Sequence, residues 1–146
     1  VFVMILSGGF VAGTDAGLLF GTWPLMGDGF FPAGLYAYEP TWLAPFEEPI
    51  TIQFNHRMLA YGVVALIVWY AVTRLRAGIT RRARGSIHGM LGALAIQVSL
   101  GIATILYHVP VALAAAHQAV ALLLFGTVLL VLHATTTESD TRPAPS

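Results

Sequence analysis

The sequence predicts an all-α membrane protein, a four-helix transmembrane bundle, on three observations. Of the 146 residues, 57% are hydrophobic and only 10% charged, with a mean hydropathy of +0.77, far from the make-up of a water-soluble domain. The apolar residues gather into four runs of roughly 20 residues, the length that crosses a hydrocarbon core about 30 Å thick. Charge is segregated although the net is zero: Asp15, Asp28, Glu39, Glu47 and Glu48 precede His56, whereas Arg74, Arg76, Arg81, Arg82 and Arg84 crowd one later connection. With no cysteine, disulfides, zinc–thiolate sites and iron–sulfur clusters are excluded, so a metal must rest on His, Met or carboxylate.

The domain is read as residues 1–133, with spans at about 1–20, 52–73, 86–107 and 111–133 and an outer loop over 21–51. The first run is apolar with interruptions at Ser7, Thr14 and Asp15, and its Gly9, Gly13 and Gly17 recur every fourth residue. That small-residue stripe lets a second helix approach closely, since packing drives helix association in lipid. Pro24, Pro32, Pro40, Pro45 and Pro49 forbid a span over 21–51. The interleaved Trp23, Phe30, Phe31, Tyr36, Tyr38, Trp42 and Phe46 suit a membrane interface or the lid of an apolar pocket. Five arginines between positions 74 and 84 place that connection on the cytoplasmic side and the acidic loop outside. Pro110 separates the third and fourth spans in a short outer turn, and the polar tail 134–146 is expected to be disordered and cytoplasmic. With no initiator methionine and an apolar run already under way at Val1, the chain reads as a piece of a longer protein.

An ionisable residue inside a span is expensive enough to mark a functional site. His56, in Gln53-Phe54-Asn55-His56-Arg57, lies about 6 Å into the second span, and His117 lies about 10 Å into the fourth, so both fall in the outer half of the bundle. Ala60, Ala114 and Ala121 flank them on the same helix faces and leave clearance for a macrocycle. Two imidazoles on facing helices suit a haem; the same pattern also arises from histidines satisfied by interhelical hydrogen bonds, and periodicity does not choose between the two. His88 and His133 form a second pair near the inner surface, where histidines ordinarily meet the interface. His108 stands at the outer turn. Arg57 points about 100° away from His56 and cannot be a second ligand, but suits a haem propionate or the outer interface. Asp15 has Arg57 or solvent as its partner, and Gln53 cannot act as an acid or base. No phosphate loop, dinucleotide fingerprint or nucleophile–base spacing is present, and the arginines are explained by topology, so nucleic acid is excluded as a partner.

These residues resemble the C-terminal half of the haem A synthase family, of the proteobacterial and mitochondrial type. The resemblance is carried by Gly8-Gly9-Phe10-Val11-Ala12-Gly13 with Ala16-Gly17, by Thr22-Trp23-Pro24-Leu25-Met26 with Pro32, and by Gln53-Phe54-Asn55-His56-Arg57 with Ala60-Tyr61. Gln97 with Gly101-Ile102-Ala103-Thr104, Val109-Pro110 and His117-Gln118 complete it, so that it covers nearly the whole chain except the tail. It implies half of an eight-helix, pseudo-symmetric membrane oxidoreductase that oxidises a methyl group of haem O to the formyl group of haem A. His56 and His117 are then the axial iron ligands of a haem b, with Arg57 beside it. The substrate-oxidising site lies in a missing N-terminal four-helix half, where a glutamate stands in the position of Gln53. This half would relay electrons and would be inactive alone. Thr14-Asp15 departs from the family pattern, which leads one to expect an uncharged or basic residue there.

The rival readings are a stand-alone b-type cytochrome or respiratory membrane anchor, and a structural or transport bundle without metal. The lipid bilayer is a partner in every case; homo-oligomers and the electron donor stay open. Seven arginines with no lysine favour a bacterial inner (plasma) membrane over the mitochondrial one.

Overall fold

The computed structural model describes residues 1–140. Its helices are α1 (Phe2–Gly13), α2 (Ala44–Glu47), α3 (Pro49–Arg76), α4 (Arg81–Leu106) and α5 (Val111–Asp140), with 3-10 turns at Ala16–Leu18 and Thr41–Leu43. Among the described residues there is no strand beyond an isolated bridge between Met26 and Gly29. Three helices are long and apolar enough to cross a membrane: Pro49–Arg76, Arg81–Leu106 and Val111–Thr136. The outward faces are as apolar as the seams, Leu66, Trp69, Leu123 and Leu130 being 60–66% exposed. An apolar mantle of that extent suits lipid and not water, and the chain is an integral membrane protein.

The first helix ends earlier than its apolar run: α1 covers Phe2–Gly13 and stops short of the expected end near Phe20. The helix stops because Asp15 adopts a left-handed backbone (φ 54°), a conformation that a short polar side chain tolerates. Thr14 closes the last turn by returning both its N–H (3.1 Å) and its hydroxyl (2.7 Å) to the Phe10 carbonyl. The other helices run longer than the apolar runs do. α3 opens at Pro49, not near Ile52, since proline at a first helical position loses no hydrogen bond and has its φ preset. α4 opens at Arg81, capped by Thr80, whose hydroxyl accepts from the Ala83 N–H at 3.3 Å. The arginine cluster therefore sits on the facing ends of α3 and α4 around a turn through Gly78 (φ 71°). α5 continues past His133 to Asp140, and residues 141–146 of the expected tail lie outside the described residues.

Towards the arginine-bearing end the bundle is closely packed: Ile67 and Ala71 of α3, Ile87, Met90 and Leu94 of α4, and Leu124 and Val131 of α5 form one buried cluster. The Tyr70 and Thr135 hydroxyls, 2.8 Å apart, join α3 to α5 there. At the opposite end the 21–48 segment folds back over α3. Tyr36 N–H donates to the Thr51 hydroxyl (2.9 Å), and Tyr36 OH donates to Asn55 Oδ1 (2.9 Å). Phe31 packs on Phe54 with ring centroids 5.6 Å apart, and Phe30 stacks on Tyr61 at 6.3 Å.

The strongest tie is Arg57, 5% exposed, whose guanidinium donates to the carbonyls of Phe20 (2.8 Å), Thr22 (2.9 Å) and Leu25 (3.1 Å). Gln53, one turn earlier on α3, adds a 3.2 Å bond to the same Phe20 carbonyl. Removing the guanidinium takes a charged donor from three carbonyls, of which Phe20 keeps Gln53 and Leu25 keeps the Thr22 hydroxyl (2.9 Å). Arg57→Met is expected to cost about 3 kcal/mol or more and to open residues 20–25 to protease. Arg57→Lys should recover little, because an ammonium lacks the planar fork. Parent-like stability and protection in Arg57→Met, measured by thermal unfolding and limited proteolysis in detergent, would contradict this assignment.

Candidate functional site

The loose half of the bundle encloses a cavity of about 600 Å³, within the range of cofactor pockets. Its walls come from α1, α3, α4 and α5, and they are predominantly apolar, with His56, His117, Gln53, Arg57, Gln97 and Gln118 as the principal polar members. His56 and His117 thus meet on one cavity. Their depths agree better than the sequence alone implies. His56 stands seven residues after Pro49 and His117 six after Val111, or about 10 Å and 9 Å along their helices. Ala60, Ala114 and Ala121 all line the cavity, as the helical spacing predicts.

Each imidazole rests against a glycine of a neighbouring helix. A Cβ added to Gly8 of α1 would lie 3.5 Å from His56 Cε1. One added to Gly101 of α4 would lie 2.9 Å from His117 Cε1, closer than real contacts allow. Each ring also has one nitrogen engaged by a polar side chain on that same helix. His56 Nδ1 lies 3.1 Å from Ser7 Oγ, and His117 Nε2 lies 3.4 Å from Gln97 Nε2. Gln97 and Gly101 are one turn apart, so a single face of α4 holds His117. His117 Nδ1 is buried without a hydrogen-bond partner, and His56 Nε2 makes no hydrogen bond among the described residues. At His56 the Ser7 hydroxyl can accept from Nδ1–H and leave the Nε2 lone pair available, as a metal-ligand histidine requires. At His117 the Gln97 amide nitrogen can only donate, so Nε2 is the acceptor with the lone pair and Nδ1 carries the proton.

The remaining candidates separate from this pair. His88, His108 and His133 are exposed and do not line the cavity. His108 stands in the α4–α5 turn with φ 58°, its Nε2 facing Gly21 across a gap that an added Cβ would narrow to 3.4 Å. Asp15 is exposed at the cavity rim, where the chain leaves α1, and both terminal nitrogens of Arg57 are turned to the loop carbonyls. Arg57 Nε is buried with no partner. Among the described residues no group of three or more His, Cys, Asp or Glu could hold a bare metal ion. A haem iron takes four ligands from its own ring and two from the protein, so two histidines suffice. The two imidazoles on one apolar cavity, the unbonded His56 Nε2 and the small-residue walls fit that group.

Ser7 and Gly101 were the residues hardest to pick out from the sequence. Ser7 reads as one interruption of an apolar run. Gly101 gains meaning only beside Gln97, a polar residue within a span one turn from a glycine.

The family model described as cytochrome oxidase assembly protein, COX15-CtaA, matches residues 1–129. Among curated relatives, the chain is 44% identical over 133 residues to a heme A synthase of Bradyrhizobium sp. (strain ORS 278), covering 90% of this chain and 35% of that protein. It is also 44% identical over 133 residues to a heme A synthase of Nitrosospira multiformis, covering 91% of this chain and 37% of the relative. With a heme A synthase of Rhodopseudomonas palustris (strain BisB5) the identity is 40% over 148 residues, 98% of this chain and 40% of the relative. The chain thus spans between a third and two fifths of the length of these relatives. No solved structure matches it. With a model match over nearly its whole length, the chain belongs to the COX15-CtaA family of cytochrome oxidase assembly proteins.

Proposed function

We propose that this chain is the cofactor-holding half of a haem A synthase, a membrane oxidoreductase that converts the methyl group of haem O to the formyl group of haem A. The observation that carries the reading is the meeting of His56 and His117 on one apolar cavity, His56 with Nδ1 held by Ser7 and Nε2 without a hydrogen bond, and His117 with its Nε2 lone pair towards the Gln97 amide. On this reading His56 and His117 would hold the iron of a haem b. A haem held there supplies a one-electron iron couple that serves the substrate-oxidising site elsewhere in the full-length enzyme. Everything else falls to the chain. Gly8 and Gly101 seat the two imidazoles, and the alanines give a planar macrocycle its clearance. The apolar walls keep water away. Arg57 brings a positive charge to the wall with its Nε still unpartnered, suited to a propionate although its terminal nitrogens serve the loop.

The relatives' name supports the synthase reading over a stand-alone cytochrome or anchor. Gln53 supports placing the oxidising chemistry in the other half, since it is bonded to the Phe20 carbonyl and carries no titratable group. The arginines around the α3–α4 turn support a cytoplasmic placement of that turn and of the C-terminus, in a bacterial inner membrane, with the 21–48 segment outside.

Haem-loaded protein should give a low-spin b-type optical spectrum, oxidised and dithionite-reduced. His56→Ala and His117→Ala are each expected to lose it or turn high-spin. Both variants retaining the parent spectrum would overturn the ligand assignment. Gly101→Val is expected to reduce haem occupancy at least tenfold while α-helical circular dichroism holds, because its Cβ enters the space of the His117 ring. Full occupancy in that variant would contradict the seat described for His117.

A further inference from the structure

Ser7 is the one polar side chain in α1, amid Phe, Val, Met, Ile, Leu, Ala and glycine from Phe2 to Gly13. Its hydroxyl lies half-buried against the edge of the His56 ring, Oγ to Nδ1 3.1 Å. Gly8 beside it faces the same ring, an added Cβ lying 3.5 Å from His56 Cε1. A hydroxyl facing a bundle interior is costly unless bonded, so its placement at an imidazole edge is a specific arrangement.

The chemistry turns on which ring nitrogen holds the proton. A neutral imidazole has one N–H. With the proton on Nε2, that nitrogen is a donor and no ligand. With it on Nδ1, the Nε2 lone pair is available, and Ser7 Oγ accepts the Nδ1–H bond. His56 Nε2 is the nitrogen without a hydrogen bond on the residue that lines the cavity. No such acceptor stands at His117, whose contact is on Nε2, 3.4 Å from the Gln97 amide nitrogen, a donor.

We propose that Ser7 is the positioning residue for His56: its hydroxyl accepts from Nδ1–H, fixes the tautomer and plane of the ring, and makes Nε2 the more basic ligand to a haem iron in the cavity. The proposal rests on the haem reading given above. It does not require Ser7 to touch the haem.

The test compares Ser7→Ala and Ser7→Thr in the haem-loaded 146-residue protein in detergent, reading haem affinity and the midpoint potential of the bound iron. Ser7→Ala keeps both histidines and should still bind haem, about tenfold more weakly, as loss of an outer partner to a ligating histidine typically costs 10–100-fold. A less basic Nε2 favours the ferrous form. The midpoint should therefore rise, by roughly three- to tenfold in the reduction equilibrium, or about 30–60 mV at 59 mV per decade. Ser7→Thr retains the hydroxyl and should return the potential to the parent value. Ser7→Ala with bound haem at the parent potential overturns the proposal and leaves the haem reading standing. Ser7→Thr behaving as Ser7→Ala does also overturns it, since the effect is then one of packing. A parent protein that takes up no haem overturns the reading and the proposal together.

Discussion

The arrangement depends on where a buried guanidinium finds its acceptors. Arg57 is nearly inaccessible, on an apolar helix, and a charge in that setting must be surrounded by dipoles. The three carbonyls it takes, from Phe20, Thr22 and Leu25, all belong to the chain leaving α1, so one side chain ties that segment to the outer end of α3. Exposed peptide groups at membrane depth are tolerated only where protein satisfies them. Arg57 and Gln53 do so together, and the irregular stretch after α1 becomes part of the cavity wall.

That constraint divides the bundle in two. Towards the arginine-bearing end, side chains from α3, α4 and α5 form one buried cluster. At the other end glycines and alanines line the helices, and about 600 Å³ stays open. A cavity of that size in a small bundle forgoes the dispersion contacts that filling it would bring, which is reasonable for a site and hard to justify for a purely structural bundle. The two histidines stand at matching depth in this half. Their outer partners differ, a serine hydroxyl on α1 and a glutamine amide on α4, so the two faces of a bound macrocycle would not be equivalent.

Much of the site was legible in the sequence because histidines in spans are rare and helical rise fixes their depth. His56 and His117, with Ala60, Ala114 and Ala121 around them, needed only the positions of the spans. What the sequence concealed was settled by single residues. Hydropathy carries α1 on to Phe20, but Asp15 in a left-handed conformation ends it at Gly13, because backbone dihedrals outweigh apolar character at one residue. Five prolines read as loop, yet Pro49 starts α3. Arg57 invites pairing with an anion, whereas the structure turns its terminal nitrogens to carbonyls, which no pattern of residue types announces. The contacts of Ser7 and Gly101 with the imidazoles depend on how helices approach one another, which spacing within one helix does not contain.

The central claim is that one macrocycle is gripped from both faces by His56 and His117, and low-temperature electron paramagnetic resonance of the ferric haem-loaded protein tests it most directly. The account predicts a low-spin signal of the two-imidazole type as the dominant species. An axial high-spin signal from iron with a single protein ligand, persisting at full occupancy, would contradict it.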